Sequence, residues 1–271
     1  MTIQSTLVFS TLFALAATSL YAFIGWRLSK RVVSSPEGRV AWGSFTLWWY
    51  GLALTTWIGG LLDLFGALGL TDLPLFLTAT YVNILVICIA LWGLLYYLVY
   101  LFTGNRRWLA PLTIFYIVYY VLLIYYVTAS APDGINLEPW NSELAFRTPL
   151  TGPFFAIVVV LLLVPQILGA LSYFMLYFRV QEITQKYRIL LVSWSIMIWF
   201  LSPFMAVAGG LEGQDWWQLA SRLIGLAAAL TILMAYLPPR WLKSRYGIAS
   251  LTDENQQDKK PVQQRTLSEP R

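Results

Sequence analysis

The chain contains no histidine and one cysteine, and only 11% of its 271 residues are charged. Without histidine there is no histidine-ligated haem, no histidine metal site, no phosphorylatable imidazole and no histidine general base. Cys88 alone cannot close an intramolecular disulfide, and it lies mid-way along an apolar run, where a small packed thiol is the ordinary reading. No GxxxxGK[ST], no GxSxG with partners, no HExxH and no series of carboxylates within an apolar segment occurs. A membrane hydrolase or proton pump normally carries several such groups, so the chain is read as non-enzymatic, with no cofactor and no metal.

What the chain does contain is apolar surface. It is 58% hydrophobic, with a mean hydropathy of +0.65, and a soluble domain of that composition has nowhere to bury its side chains. The reading is an all-α polytopic membrane protein, with the lipid bilayer as its first partner. The isoelectric point of about 9.3 does not indicate nucleic acid, because the basic residues fall where membrane topology requires them. No cationic segment precedes the first apolar stretch, which is therefore read as a retained span and not a cleaved signal.

Seven spans are predicted. They run over about Thr6–Trp26, Ala41–Leu64, Leu75–Phe102, Trp108–Val127, Pro153–Phe178, Ile189–Ala208 and, last, the apolar core of the stretch Glu212–Arg245. Each approaches the ~20 helical residues that cross a hydrocarbon core of ~30 Å. The last begins at the Trp216–Trp217 pair and ends on Pro238-Pro239-Arg240-Trp241-Leu242-Lys243-Ser244-Arg245, an aromatic belt at one interface and a basic cluster at the other. The longest link, Thr128–Gly152, is rich in proline, asparagine and acids and reads as a loop. Residues 1–248 form one transmembrane domain, and 249–271, polar and rich in Gln, Lys and Glu, read as a disordered cytoplasmic tail.

With seven spans the termini lie on opposite sides. Sixteen of the 18 Lys and Arg fall on the side of the first interhelical link, which places the N-terminus outside and the C-terminus in the cytoplasm of a plasma membrane.

Two ionisable residues within or at the edge of spans are the first candidates for function. Asp63 lies 24 residues beyond Arg39, about 36 Å along a helix and so at the outer interface. Arg222 lies 18 residues before Arg240, about 27 Å, somewhat deeper on the same side. A snorkelling arginine covers part of that offset, so the two can pair and tie span two to span seven. The pair is either an electrostatic latch or part of a ligand site, and Glu212 and Asp215 are alternative partners for Arg222. Asn83 is placed about 12 Å inside span three and Gln166 about 18 Å into span five. Amides in lipid must hydrogen-bond to neighbours, so both are either helix glue or ligand contacts. Pro165 and Pro203 free backbone carbonyls in spans five and six, and splaying of these helices would open an outward-facing cavity. Ser221, Gly225 and Ala229 form a small-residue stripe suited to close helix packing. Tyr116, Tyr119 and Tyr120 share a helical face that either lines a flat apolar pocket or packs.

The segment Trp199-Phe-Leu-Ser202-Pro203, with a tryptophan four residues before a proline, resembles the sixth helix of microbial rhodopsins. Ala220-Ser221-Arg222 falls where that family carries its Schiff-base lysine, and Thr80-Tyr81-Val82-Asn83 is loosely similar to its counter-ion stretch. The resemblance implies a ligand pocket bordered by Trp199, but Arg222 cannot form a retinal Schiff base. Asn83 and Gln218 stand where carboxylates are expected. AYLPPRWLKSRYG and KYRILLVSWSIMIWF also resemble the seven-helix membrane regions of some bacterial sensor proteins. The expected function is a receptor-like or sensory protein that binds a small apolar or amphiphilic ligand through Arg222, Asp63, Asn83, Gln166 and Trp199. A cytoplasmic signalling partner or a second copy of the chain would read its state. The alternatives are a small-solute transporter or channel, and an accessory subunit of a membrane complex.

Overall fold

A computed structural model describes the backbone of residues 2–31, 35–146, 153–212 and 215–248. It describes their side chains except those of 37, 153–162, 164–166, 203, 204, 206–212 and 215. Seven helices of 21 to 32 residues dominate these segments: α1 (Ile3–Ser29), α2 (Pro36–Ala67), α3 (Leu73–Thr103), α4 (Leu109–Ala129), α5 (Pro153–Arg179), α6 (Ile183–Glu212) and α7 (Asp215–Tyr236). A short α8 (Arg240–Tyr246) follows the Pro238–Pro239 break. The apolar stretches read as spans fall on these helices with displaced ends: α2 begins five and α6 six residues earlier than expected, and α6 absorbs much of the basic link before it.

The helix ends follow from local chemistry. Ser35 and Asp72 each accept a backbone N–H three residues on, with Pro36 and Pro74 inside the first turns of α2 and α3. Gly104, at φ +62°, ends α3 in the left-handed conformation that a side chain would resist.

Four helical segments, α1, Arg106–Ala129, α3 and Trp216–Tyr236 in α7, are long and apolar enough to cross a membrane, which is compatible with a multi-pass membrane protein. Packing arranges the helices as a closed ring, α1–α2–α3–α5–α6–α7, with α7 returning to α1 and α4 set against the outside of α3. On α4, Ile114, Ile117, Val118 and Val121 are more than half exposed, an apolar face with no protein over it among the described residues.

Small residues set the close approaches. A side chain at Gly51 would strike Ala90, and one at Gly60 would come within 2.7 Å of Ala14 Cβ. The stripe on α7 is occupied within the chain. Ser202 and Ser195 of α6 donate to the carbonyls of Ser221 and Ala228, both at 2.8 Å, and the Tyr21 hydroxyl of α1 donates to the Gly225 carbonyl at 3.0 Å. The core is aromatic, with Trp48 and Trp49 fully buried. Tyr116 and Tyr119 are buried in the helix packing, and Tyr116 and Tyr120 border an apolar crevice of about 250 Å3 between α3 and α4. Helices α5 and α6 run unbroken through Pro165 and Pro203, whose side chains lie outside the described set, as does the residue 249–271 tail.

The expected loop after α4 is instead a β-hairpin, β1 (Pro132–Glu138) paired antiparallel with β2 (Asn141–Phe146), with a bulge near Pro132. Its apolar residues alternate, and Ile135, Leu144 and Phe146 pack with Phe76, Val127 and Phe65 over α2, α3 and α4. This burial makes strand pairing more favourable than an open loop.

Candidate functional site

The hairpin turn lies over the end of the bundle where α1 and α7 begin and α2 ends. Pro139 fixes the first corner, and Trp140 takes the second at φ +72°, a conformation a bulky side chain rarely adopts. The turn thereby presents its backbone to the helices. The Trp140 carbonyl accepts from Arg222 Nη2 and Nε at 3.2 and 3.3 Å and lies 2.9 Å from Ser10 Oγ, whose single proton it shares with Asp63. Gly66 makes this seat possible, since a Cβ there would come within 2.9 Å of Leu137 and 3.0 Å of Ser142.

Asp63 is the hub. It is fully buried, and its Oδ2 accepts from Ser10 Oγ at 2.7 Å and Arg222 Nη2 at 2.8 Å. Its Oδ1 accepts from the Ser142 backbone N–H at 2.9 Å and the Ser142 hydroxyl at 3.3 Å. The ion pair tying α2 to α7, one of the two readings of these residues, is therefore present, and the hairpin is bound into it. A charge this deep is tolerable because its lone pairs all meet donors. Ser10, Trp140 and Ser142 were not among the sequence candidates; each lies 79 residues or more from at least one of its partners here.

Beside this hub lies a cavity of about 350 Å3 between α1, α2, α3, α6, α7 and the hairpin. Arg222, Asn83 and Trp199, three of the five predicted site residues, line it together. Asp63 stands behind Arg222 and does not line it, and the Gln166 side chain lies outside the described residues. Phe13, Ala17, Leu62, Ile87 and Leu226 make most of the wall apolar. Tyr21 and Trp199 close the lower end, backed by Trp49 and Trp48 at ring separations of 6.1 and 5.2 Å. Asn83 Oδ1 and Thr55 Oγ1 are buried without a hydrogen-bond partner. Arg222 is 22% exposed and Nη1 has no hydrogen bond among the described residues, while Nε and Nη2 are bound by the hairpin and Asp63. Such a wall can hold an apolar body and hydrogen-bond a single polar head.

One titrating group outside the helices belongs to this end. Partial loss of water around the carboxyl of Glu143, whose residue stays exposed on β2, and the nearby charge of Glu138 raise it above the ordinary range, against the Asn141 amide bond and the Arg222 charge. Among the described residues there is no cluster of three or more Cys, Asp or Glu that could hold a metal ion.

No protein family, no curated protein and no solved structure matches the chain.

Proposed function

We propose that the protein is a non-enzymatic, receptor-like sensor in a plasma membrane, and that the hairpin-end cavity binds a small amphiphile. The observation that carries this reading is the combination, at one largely apolar cavity, of Asn83 Oδ1 and Thr55 Oγ1, buried without partners, with the partly exposed Arg222, whose Nη1 makes no hydrogen bond among the described residues. Buried polar groups are costly when unpaired, so a ligand whose head both donates and accepts is stabilised there. Its apolar body rests on Tyr21 and Trp199. Asp63 acts through Arg222, fixing the guanidinium so that one edge remains free for the ligand.

In this reading all seven long helices cross the membrane, the cavity faces outward, and a cytoplasmic partner or a second copy of the chain reads the basic links and α8. The aromatic floor, backed by fully buried Trp48 and Trp49, supports a dead-end pocket over a transport path. The test is to purify the chain in mild detergent, extract it with organic solvent and identify bound small molecules by mass spectrometry. A molecule with one hydrogen-bonding head, present in the native chain and depleted in Asn83→Leu and Thr55→Val, is the expected result. Identical extracts from native and variant chains overturn the reading. Solute flux in liposomes that the same variants abolish points to a carrier instead.

A further inference from the structure

At the opposite end of the bundle, α1 and α2 leave a second crevice, of about 490 Å3, lined by Ser29, Arg31, Arg39, Trp42, Gly43, Thr46, Leu47 and Tyr50. We infer that this crevice is a binding site for a single anionic phospholipid. The inference rests on α1 and α2 lying in a membrane, and is independent of what fills the hairpin-end cavity.

The crevice has a charged mouth and an apolar length. Arg31 and Arg39 stand at the mouth, and no carboxylate is among the described lining residues. Neither guanidinium has a hydrogen-bond or ion-pair partner among the described residues, and Arg31 lies 4.8 Å over the Trp42 ring. Trp42 is itself pinned, its indole N–H donating to the Leu28 carbonyl at 2.8 Å, so the arginine platform is held by the fold. Arginine forks match phosphate oxygens, and a stacked guanidinium keeps its edge free for them.

From the mouth the crevice follows α2 for eleven residues to Tyr50, about 16 Å, a distance that takes the upper part of an acyl chain. Gly43 opens this path, since a Cβ there would touch nothing within 4 Å. The Thr46 hydroxyl donates its proton to the Trp42 carbonyl at 3.0 Å and so leaves no unpaired donor along the path of a lipid tail. The path ends where the Tyr50 ring lies across Gly25 of α1, with 3.1 Å from the ring to a Cβ built there. A phosphate at two arginines with a chain along Gly43, Leu47 and Tyr50 uses both features. A soluble phosphate would use only the first. Anionic lipid concentrates at basic juxtamembrane sites, and Arg27, Lys30, Arg31 and Arg39 cluster around this link between α1 and α2.

The test uses the full chain in a neutral detergent, with phosphatidylglycerol or phosphatidylcholine of identical acyl chains added to the micelles and native mass spectrometry as the readout. One phosphatidylglycerol per chain is expected, preferred by about tenfold over phosphatidylcholine, given two arginines at the headgroup. R31Q/R39Q is expected to bring that preference close to unity. Gly43→Leu, which keeps both arginines, is expected to weaken retention of the long-chain lipid several-fold. Melting temperature without added lipid reports the fold of each variant, and Gly43→Leu decides should the double variant not fold. Equal retention of the two lipids, a preference that survives the variants, or displacement by glycerol phosphate as effective as by the lipid overturns the inference.

Discussion

Asp63 is surrounded by donors from three places in the chain, Ser10, Ser142 and Arg222, and the cost of removing it follows from what it leaves behind. Asp63→Ala strands the Arg222 cation and the Ser142 N–H in a dehydrated setting, and is expected to lower stability by about 3–5 kcal/mol in thermal unfolding in detergent. Asp63→Leu combined with Arg222→Met removes both charges at similar volume and is expected to cost less than either single change, because no charge is left unpaired. A double variant as damaging as the sum of the singles shows the two residues to be uncoupled. The pairing was one of the readings the sequence offered because a helix is a ruler: counting residues from the basic end placed Asp63 at the outer interface and Arg222 somewhat deeper on the same side, an offset that a snorkelling arginine covers in part. The other partners were not legible. Ser10 meets Trp140 across 130 residues, and no local pattern reports a contact that only the closed fold creates.

At the scale of elements, the hairpin is held by Gly66 and by the turn carbonyl. Gly66→Leu drives a side chain into Leu137 and Ser142 and is expected to raise amide exchange across β1 and β2 at least tenfold, with the exchange of α2 and α3 little changed. Exchange that stays native-like shows the hairpin to be held elsewhere. Glu143 tunes the same element. Its carboxyl is raised above the 4.5 of a free glutamic acid, so its neutral form suits the folded hairpin. The stability this contributes is complete below that free value and is lost as pH rises through the folded one. Glu143→Gln keeps an amide oxygen for Asn141 without the charge. Because Glu143 is exposed and its charge is screened by solvent, the variant is expected to protect the hairpin only slightly relative to the native chain at neutral pH, with the difference vanishing at low pH. A difference that is constant with pH excludes the carboxyl as its source. The hairpin itself escaped the sequence reading although Ile135, Leu137 and Leu144 alternate with polar neighbours. Its turn, Pro139–Trp140, lacks the Asn-Gly or Asp-Gly signature that usually marks a two-residue connection, and Trp140 is held at positive φ by bonds to distant helices.

At the scale of the molecule, the ring constrains the topology. Helix α2 has 32 residues, about 48 Å of helix, and it joins the end of α1 to the start of α3 while packing along both. Two neighbours apolar enough to cross a membrane support the same passage for the helix between them, although α2 carries Asp63 and Arg39. Helices α5 and α6, of 27 and 30 residues, close the ring from α3 to α7 and invite the same argument. The long helices were legible from apolar run length, whereas their ring order was not, because it is fixed by inter-helix contacts such as Gly51 on Ala90 and Gly60 on Ala14. In the proposed topology, seven crossings would put Ser5 and the hairpin on one side of the membrane and α8 on the other. In a Cys88→Ala background, single cysteines at Ser5, Asn136 and Ser244 report this directly through a membrane-impermeant maleimide. The first two are expected to react in intact cells and the third only after lysis. Labelling of Ser5→Cys and Ser244→Cys from the same side requires an even number of crossings. Such a result would leave at least one of the seven long helices outside the hydrocarbon and would place the basic crevice and the hairpin cavity in settings other than those assigned to them.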